Sequence, residues 1–148
     1  SMESLSGFDE VKESEEEKTE DIEEKKEVRK PYSIWEIAEG KELHLKLTTS
    51  AICKLEDKYR RNLLQVITSD DIPPLAIMLT IIQAAAQKYH HKIDFKKVQN
   101  LYDEYVENGG SQIKLLSSVI MPILSVSGFF TQNQMEEIQE KMEDAEEI

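Results

Sequence analysis

Residues 43–67 read LHLKLTTSAICKLEDKYRRNLLQVI, and the hydrophobic period changes within this stretch from two to three-four. Leu43-His44-Leu45-Lys46-Leu47 alternates apolar and polar side chains, the pattern of a strand with one buried face. Thr48 or Thr49 then offers a hydroxyl to cap a helix that sets Ile52, Leu55 and Tyr59 on one side. A shorter turn carries Leu63, Leu64, Val66 and Ile67. Upstream, Tyr32 to Ala38 predicts a strand and Glu39-Gly40 a tight turn, so order begins near Pro31 with a β-hairpin. Two strands alone are marginally stable, and this leucine face needs a helical cover. The fold class that follows is mainly α: an N-terminal β-hairpin packed on a compact bundle of about four to five helices, with acidic tails.

Further helical patterns lie downstream. Asp70, Asp71 and Pro73 are start signals for a helix running to about Tyr89. That helix is apolar nearly all round, with a thin polar stripe at Thr80, Gln83 and Gln87, and such a helix belongs at the centre of a domain. Asp94 caps the next, which faces Phe95, Val98, Leu101, Tyr102 and Tyr105 inward and ends at Asn108-Gly109-Gly110. Ser111 caps another, with Ile113, Leu116, Ile120 and Leu124 in line. Pro122 lies inside that pattern and removes the N–H that would bond the Ser118 carbonyl, so a kink or break is expected there. Thr131-Gln132-Asn133-Gln134 matches a capping box, and Met135, Ile138, Met142 and Ala145 follow at three-four spacing on an acidic helix.

The chain of 148 residues suits one domain with appendages. Its net charge of −12 belongs to the ends. Residues 1–30 carry 12 acidic and 6 basic side chains, residues 131–148 carry 7 and 1, and residues 31–130 balance at 11 of each. The division expected is a disordered acidic segment over 1–30, a helical domain over 31–130, and an acidic amphipathic helix over 131–148. A neutral body disfavours nucleic-acid binding, which needs a basic surface. Ser1 ahead of Met2 reads as vector-derived and stands outside this reasoning. With no long apolar run after a basic start, no secretory signal is expected. The longest uncharged run, Leu115 to Phe130, has 16 residues, four of them serine, and falls short of a membrane span. The expected setting is cytoplasmic.

Chemistry is sparse. His90-His91 with Asp94 has a metallic look, but adjacent histidines diverge by about 100° on a helix. At a helix end they find a place where positive charge is welcome. His44 alternates outward on its strand and should be solvated. Cys53 is the single cysteine and has no histidine near in sequence, so a small, partly buried side chain is expected. Asp70-Asp71 reads as a helix start and Asp103-Glu104 as an outer helix face. No phosphate loop or nucleophile elbow appears. The expectation is a non-enzyme with no cofactor and no metal.

What remains is apolar surplus. Residues 113–130 add so many large apolar groups to an already greasy central helix that covering both is hard. The expected partner-binding residues are Ile113, Leu116, Ile120, Leu124, Phe129 and Phe130, joined by Met135, Ile138 and Met142 of the last segment. A filled core is the alternative, and a homo-oligomer would also cover such a face.

The stretch 43–67 resembles the opening of phage tail assembly chaperones from Gram-positive siphophages and prophages. Thr48-Thr49 and Leu55-Glu56 with Lys58 match that pattern. So do Pro74-Leu75 opening an apolar helix, Ile93, the run Leu101-Tyr102-Asp103-Glu104-Tyr105, Gly110-Ser111, and Ser127-Gly128. The likeness covers roughly residues 32–130. Family members usually carry a glycine just after the Leu-Glu helix, where this chain has Arg60-Arg61. The resemblance implies a chaperone that binds the tape measure protein, and the tail tube protein as a second client, before the tube polymerises. It implies action in the bacterial host cytoplasm and absence from the mature virion. Such chaperones often occur as two products, the longer made by frameshifting, and the acidic end at Ile148 suits the shorter. A structural head–tail connector subunit is the alternative, and a host-directed adaptor acting through the acidic tails comes third.

Overall fold

The computed structural model describes residues 29–146, so the expected disorder of 1–30 lies almost wholly outside the described residues. Strand β1 (Ser33–Ala38) pairs antiparallel with β2 (Lys41–Leu45), joined through Glu39-Gly40 with Gly40 at φ +76°. The register runs from Ser33 opposite Leu45 to Glu36 opposite Glu42, then slips to Ala38 opposite Lys41, which puts one extra residue on β1. Trp35 and Ile37 from β1, with Leu45 and Leu47 from β2 and its extension, are all buried on one face.

That face lies on helices. After the hairpin come α1 (Thr49–Tyr59), α2 (Leu63–Thr68), α3 (Leu75–Ala86), α4 (Phe95–Glu107) and a rod made of α5 (Gln112–Leu115), a π-turn (Leu116–Ile120) and α6 (Met121–Val126). Helix α7 (Gln132–Glu146) follows. The fold is mostly helical with one hairpin. Helix α3 is central: Met78, Leu79, Ile81, Ile82, Ala85 and Ala86 are buried against β2, α1, α4 and the rod. Among the described residues no single helix is long and apolar enough to cross a membrane.

Helix ends follow local chemistry closely. The hydroxyl of Thr48 accepts from Ala51 N–H, the Asp94 carboxylate from Lys97 N–H, and the Ser111 hydroxyl from Lys114 N–H. Thr131 and Gln134 exchange both bonds of the capping box. Helices α4 and α6 both close in Schellman motifs. In the first, Gly110 N–H reaches Tyr105 O and Gly109 N–H reaches Val106 O. In the second, Phe129 N–H reaches Leu124 O and Gly128 N–H reaches Ser125 O.

Three expectations need correction. Helix α3 starts at Leu75 behind Pro74 with no side-chain cap, so Asp70 and Asp71 sit in an exposed loop rather than in its first turn. It also stops at Ala86, short of Tyr89. Ala85 O, which Tyr89 N–H would take in a continuing helix, accepts from Lys46 N–H at 2.9 Å, and Tyr89 N–H turns to Ala86 O instead. At Pro122 the rod widens before the proline rather than breaking. Met121 N–H bonds Leu116 O, five residues back, and this π-turn accommodates the missing donor.

The departure at Arg60 has a conformational answer. Arg60 ends α1 at φ 56°, ψ 32°, the left-handed geometry that glycine adopts without penalty. Its ion pair with Asp57, 3.9 Å away on an open surface, offsets little of that. Arg60→Gly should therefore raise stability by about 0.5–1 kcal/mol, read as a higher urea midpoint at unchanged slope. Gly110 is the opposite case, because an added Cβ would lie 2.3 Å from Cε2 of the buried Tyr105 ring. Gly110→Ala should lower stability by about 1–3 kcal/mol in the same measurement.

Candidate functional site

The structure divides the segment 113–130 between core and surface. Ile120 and Leu124 have no exposed area and Leu116 only 8 %. Their expected role as partner-binding residues is corrected: the rod runs between the hairpin and α3, so this stripe is covered on both sides. Ile113 precedes that contact and is 47 % exposed. Phe129 and Phe130 are half-buried beyond the Schellman turn, and Ile138 of α7 is half-buried against the core. The Met135 and Met142 side chains lie outside the described residues.

Surface from the same rod reappears on its other side. Ser118, Pro122, Ser125 and Val126 wall a groove of about 650 Å³ whose opposite wall is the lead-in to β1, from Arg29 to Ile34. The spacing of those four residues places them on one face of the rod. Ile34 is 45 % exposed beside the groove. Arg29 Nη1 donates to Ser125 O at 2.7 Å and to Phe130 O at 2.8 Å, which pins a cation over the C-terminus of α6. Among the described residues neither Arg29 nor Lys30 forms a salt bridge. Sequence reading missed this site, because its walls come from residues about ninety positions apart and no local period marks the pairing.

A second constellation joins β2 to the turn after α3. His44 N–H donates to His90 Nε2 at 3.1 Å. Tyr32 stacks on His44 at 4.1 Å between centroids, Tyr89 meets both rings edge-on, and Tyr89 Oη donates to Pro31 O. His44 is thus half-buried in an aromatic cluster rather than solvated. His90 has its pKa lowered, first by burial and then by the neighbouring His44 and His91. A positive charge is unwelcome there, contrary to the helix-end reading.

The remaining candidates are dispersed. Cys53 is exposed, not partly buried. Asp103 is exposed on α4, and Glu104 pairs with Lys41 at 2.7 Å across to the hairpin tip. Among the described residues no group of three or more His, Cys, Asp or Glu side chains is placed to hold a metal ion.

These features define, among the described residues, a small hairpin-and-helix domain with a groove that has apolar walls and is rimmed by Arg29 and Lys30. A family model matches residues 34–148, and the chain belongs to that family, DUF6096, described as a family of unknown function. No curated protein and no solved structure matches the chain.

The His90 acceptor requires its Nε2 to be unprotonated, which gives stability a pH dependence. The unfolded chain takes up a proton at this histidine near pH 6.5, while the fold resists it to lower pH. The contribution of His90 to stability is present above about pH 6.5 and declines as pH falls from there toward the lowered folded value. Lys41, Glu42 and Lys97 line the adjoining pocket with His90. His90→Gln should flatten the fall in urea midpoint between about pH 7.5 and 5.5. An equally steep fall in the variant would place the dependence elsewhere.

Proposed function

We propose that this chain is a non-catalytic phage tail assembly chaperone that binds the tape measure protein, with the tail tube protein as a second client, before the tail polymerises. The groove between β1 and the rod carries this reading. Its walls include the apolar groups Ile34, Pro122 and Val126, and the half-buried Phe129 and Phe130 follow the α6 wall. The order of elements agrees with the resemblance at residues 32–130. That order is a hairpin, a Thr48-capped helix, a central apolar helix, a Gly-Gly turn and a long rod. The left-handed conformation of Arg60 also falls where the resembled proteins carry glycine.

The mechanism is shielding. A tape measure is a long, largely helical client whose apolar stripes aggregate while exposed. A groove with apolar walls covers a short length of such a stripe, and the excess negative charge of the chain keeps the complex soluble. Client contact falls to Ile34, Pro122, Val126, Phe129 and Phe130, because Leu116, Ile120 and Leu124 are already enclosed. The chaperone acts in the bacterial host cytoplasm and leaves before the virion matures.

Co-expression of the full chain with the tape measure protein from the same locus tests this. A stable complex is expected on pull-down, and Val126→Glu should reduce its recovery about tenfold or more while the thermal midpoint moves little. No complex with the native chain, or detection of the protein in purified virions, would overturn the reading.

A further inference from the structure

The turn that follows α3 holds the hairpin through a base. His90 Nε2 accepts the His44 N–H at 3.1 Å, beside the bond of Lys46 N–H to Ala85 O. Only an unprotonated imidazole nitrogen accepts, because an imidazolium carries donors on both nitrogens. A proton at Nε2 therefore sets N–H against N–H and turns this contact from attraction to repulsion. The backbone of the turn does not depend on the ring: His90 N–H bonds Ala86 O at 2.8 Å, and Ile93 N–H bonds His90 O at 3.1 Å. The ring is thus free to leave the strand while the turn keeps its shape.

What the ring holds extends to the lead-in of β1. Tyr32 stacks on His44 at 4.1 Å with the planes 10° apart, and Tyr89, the residue before His90, meets both rings edge-on. Tyr89 Oη also donates to Pro31 O at 3.2 Å. Pro31 and Tyr32 are wall residues of the groove. Contiguous contacts run from His90 through His44, Tyr89 and Tyr32 to that wall.

We propose that His90 is a proton-operated latch: its protonation releases the His44 amide and, through Tyr89 and Tyr32, loosens the groove wall at Pro31 and Tyr32 while the helical core stays folded. The sign follows from which state takes the proton. The latched ring resists it, first through burial and then through His44 and His91, whereas a released ring takes it up near pH 6.5. Below that value each further pH unit favours the released form by about tenfold, until the latched ring itself titrates. Among the described residues, Lys41 and Glu42 from β2 and Lys97 from α4 share its pocket. His44, Tyr32 and Tyr89 stand in the ring cluster, and Lys88, His91 and Lys92 lie along the turn. Glu42 is the carboxylate of this set, and its Oε1 is turned toward His44 Nε2 at 3.5 Å. Client release on acidification is a consequence that rests on the function proposed above. The latch itself stands without it, and the pull-down can fail while the latch holds.

NMR on the full ¹⁵N,¹³C-labelled chain tests it between about pH 7.5 and 4.5. At the upper end a scalar coupling across the hydrogen bond should join the His44 amide nitrogen to His90 Nε2. On acidification that coupling should vanish. The Tyr32 amide, whose peptide includes the Pro31 carbonyl, should shift with the midpoint of the His90 ring and not with those of His44 or His91. Ile81 and Ile120, wholly buried in the core, should keep their amide shifts. His90→Gln, which sets a non-titrating oxygen near the place of Nε2, should abolish the movement of Tyr32. His90→Ala should show the acid position of the Tyr32 amide already at the upper end. Absence of the coupling in the native chain, or a Tyr32 amide that ignores the His90 midpoint, overturns the proposal. So does movement that persists in His90→Gln, a Tyr32 amide that keeps its native position in His90→Ala, or loss of the core signals in the same step.

Discussion

Everything else in this fold depends on how the hairpin is finished by α3. Two strands cannot support themselves in water, and here the last turn of α3 supplies what a third strand would. Ala85 O takes the Lys46 N–H, the imidazole of His90 takes that of His44, and the buried face of α3 covers Leu45 and Leu47. The bond at Ala85 also fixes where α3 stops, because a carbonyl committed to β2 withdraws from the helix. The turn that results carries Tyr89 and His90 back over Tyr32 and His44. One backbone contact thus bears on both the helix length and the aromatic cluster.

The rod shows how a helix can be both core and surface. Its line of Leu116, Ile120 and Leu124 is enclosed between hairpin and α3, while Ser118, Pro122 and Val126 face out into the groove. Pro122 has a place in this division. Pro122 lines the groove, and the π-turn ahead of it accommodates the missing hydrogen bond. At the far end the Schellman turn at Gly128 directs Phe129 and Phe130 back against the body, and Arg29 binds the carbonyls of Ser125 and Phe130.

Among the described residues one buried side-chain donor lacks an acceptor, at Trp35. The ring is wholly buried against Tyr105, and its indole N–H meets no acceptor among the described residues. An unbonded buried N–H costs about 1–3 kcal/mol, while burying so large a ring returns at least as much. Packing therefore dominates at this position.

Local features were legible in the sequence because they depend on near neighbours. The alternation at 43–47, the caps at Thr48, Asp94, Ser111 and Thr131, the Gly109-Gly110 stop and the buried face of α3 all follow from side chains within a few residues of each other. Period shows which faces are apolar, but not how many elements will arrive to cover them, and for that reason Leu116, Ile120 and Leu124 read as surplus and proved to be core. Only the tertiary structure paired residues 29–34 with residues 118–126, brought His44 under Tyr32 and His90, and ended α3 at Ala86. Each of these is a contact between distant parts of the chain, made by backbone groups that every residue carries, so no residue type announces it in advance.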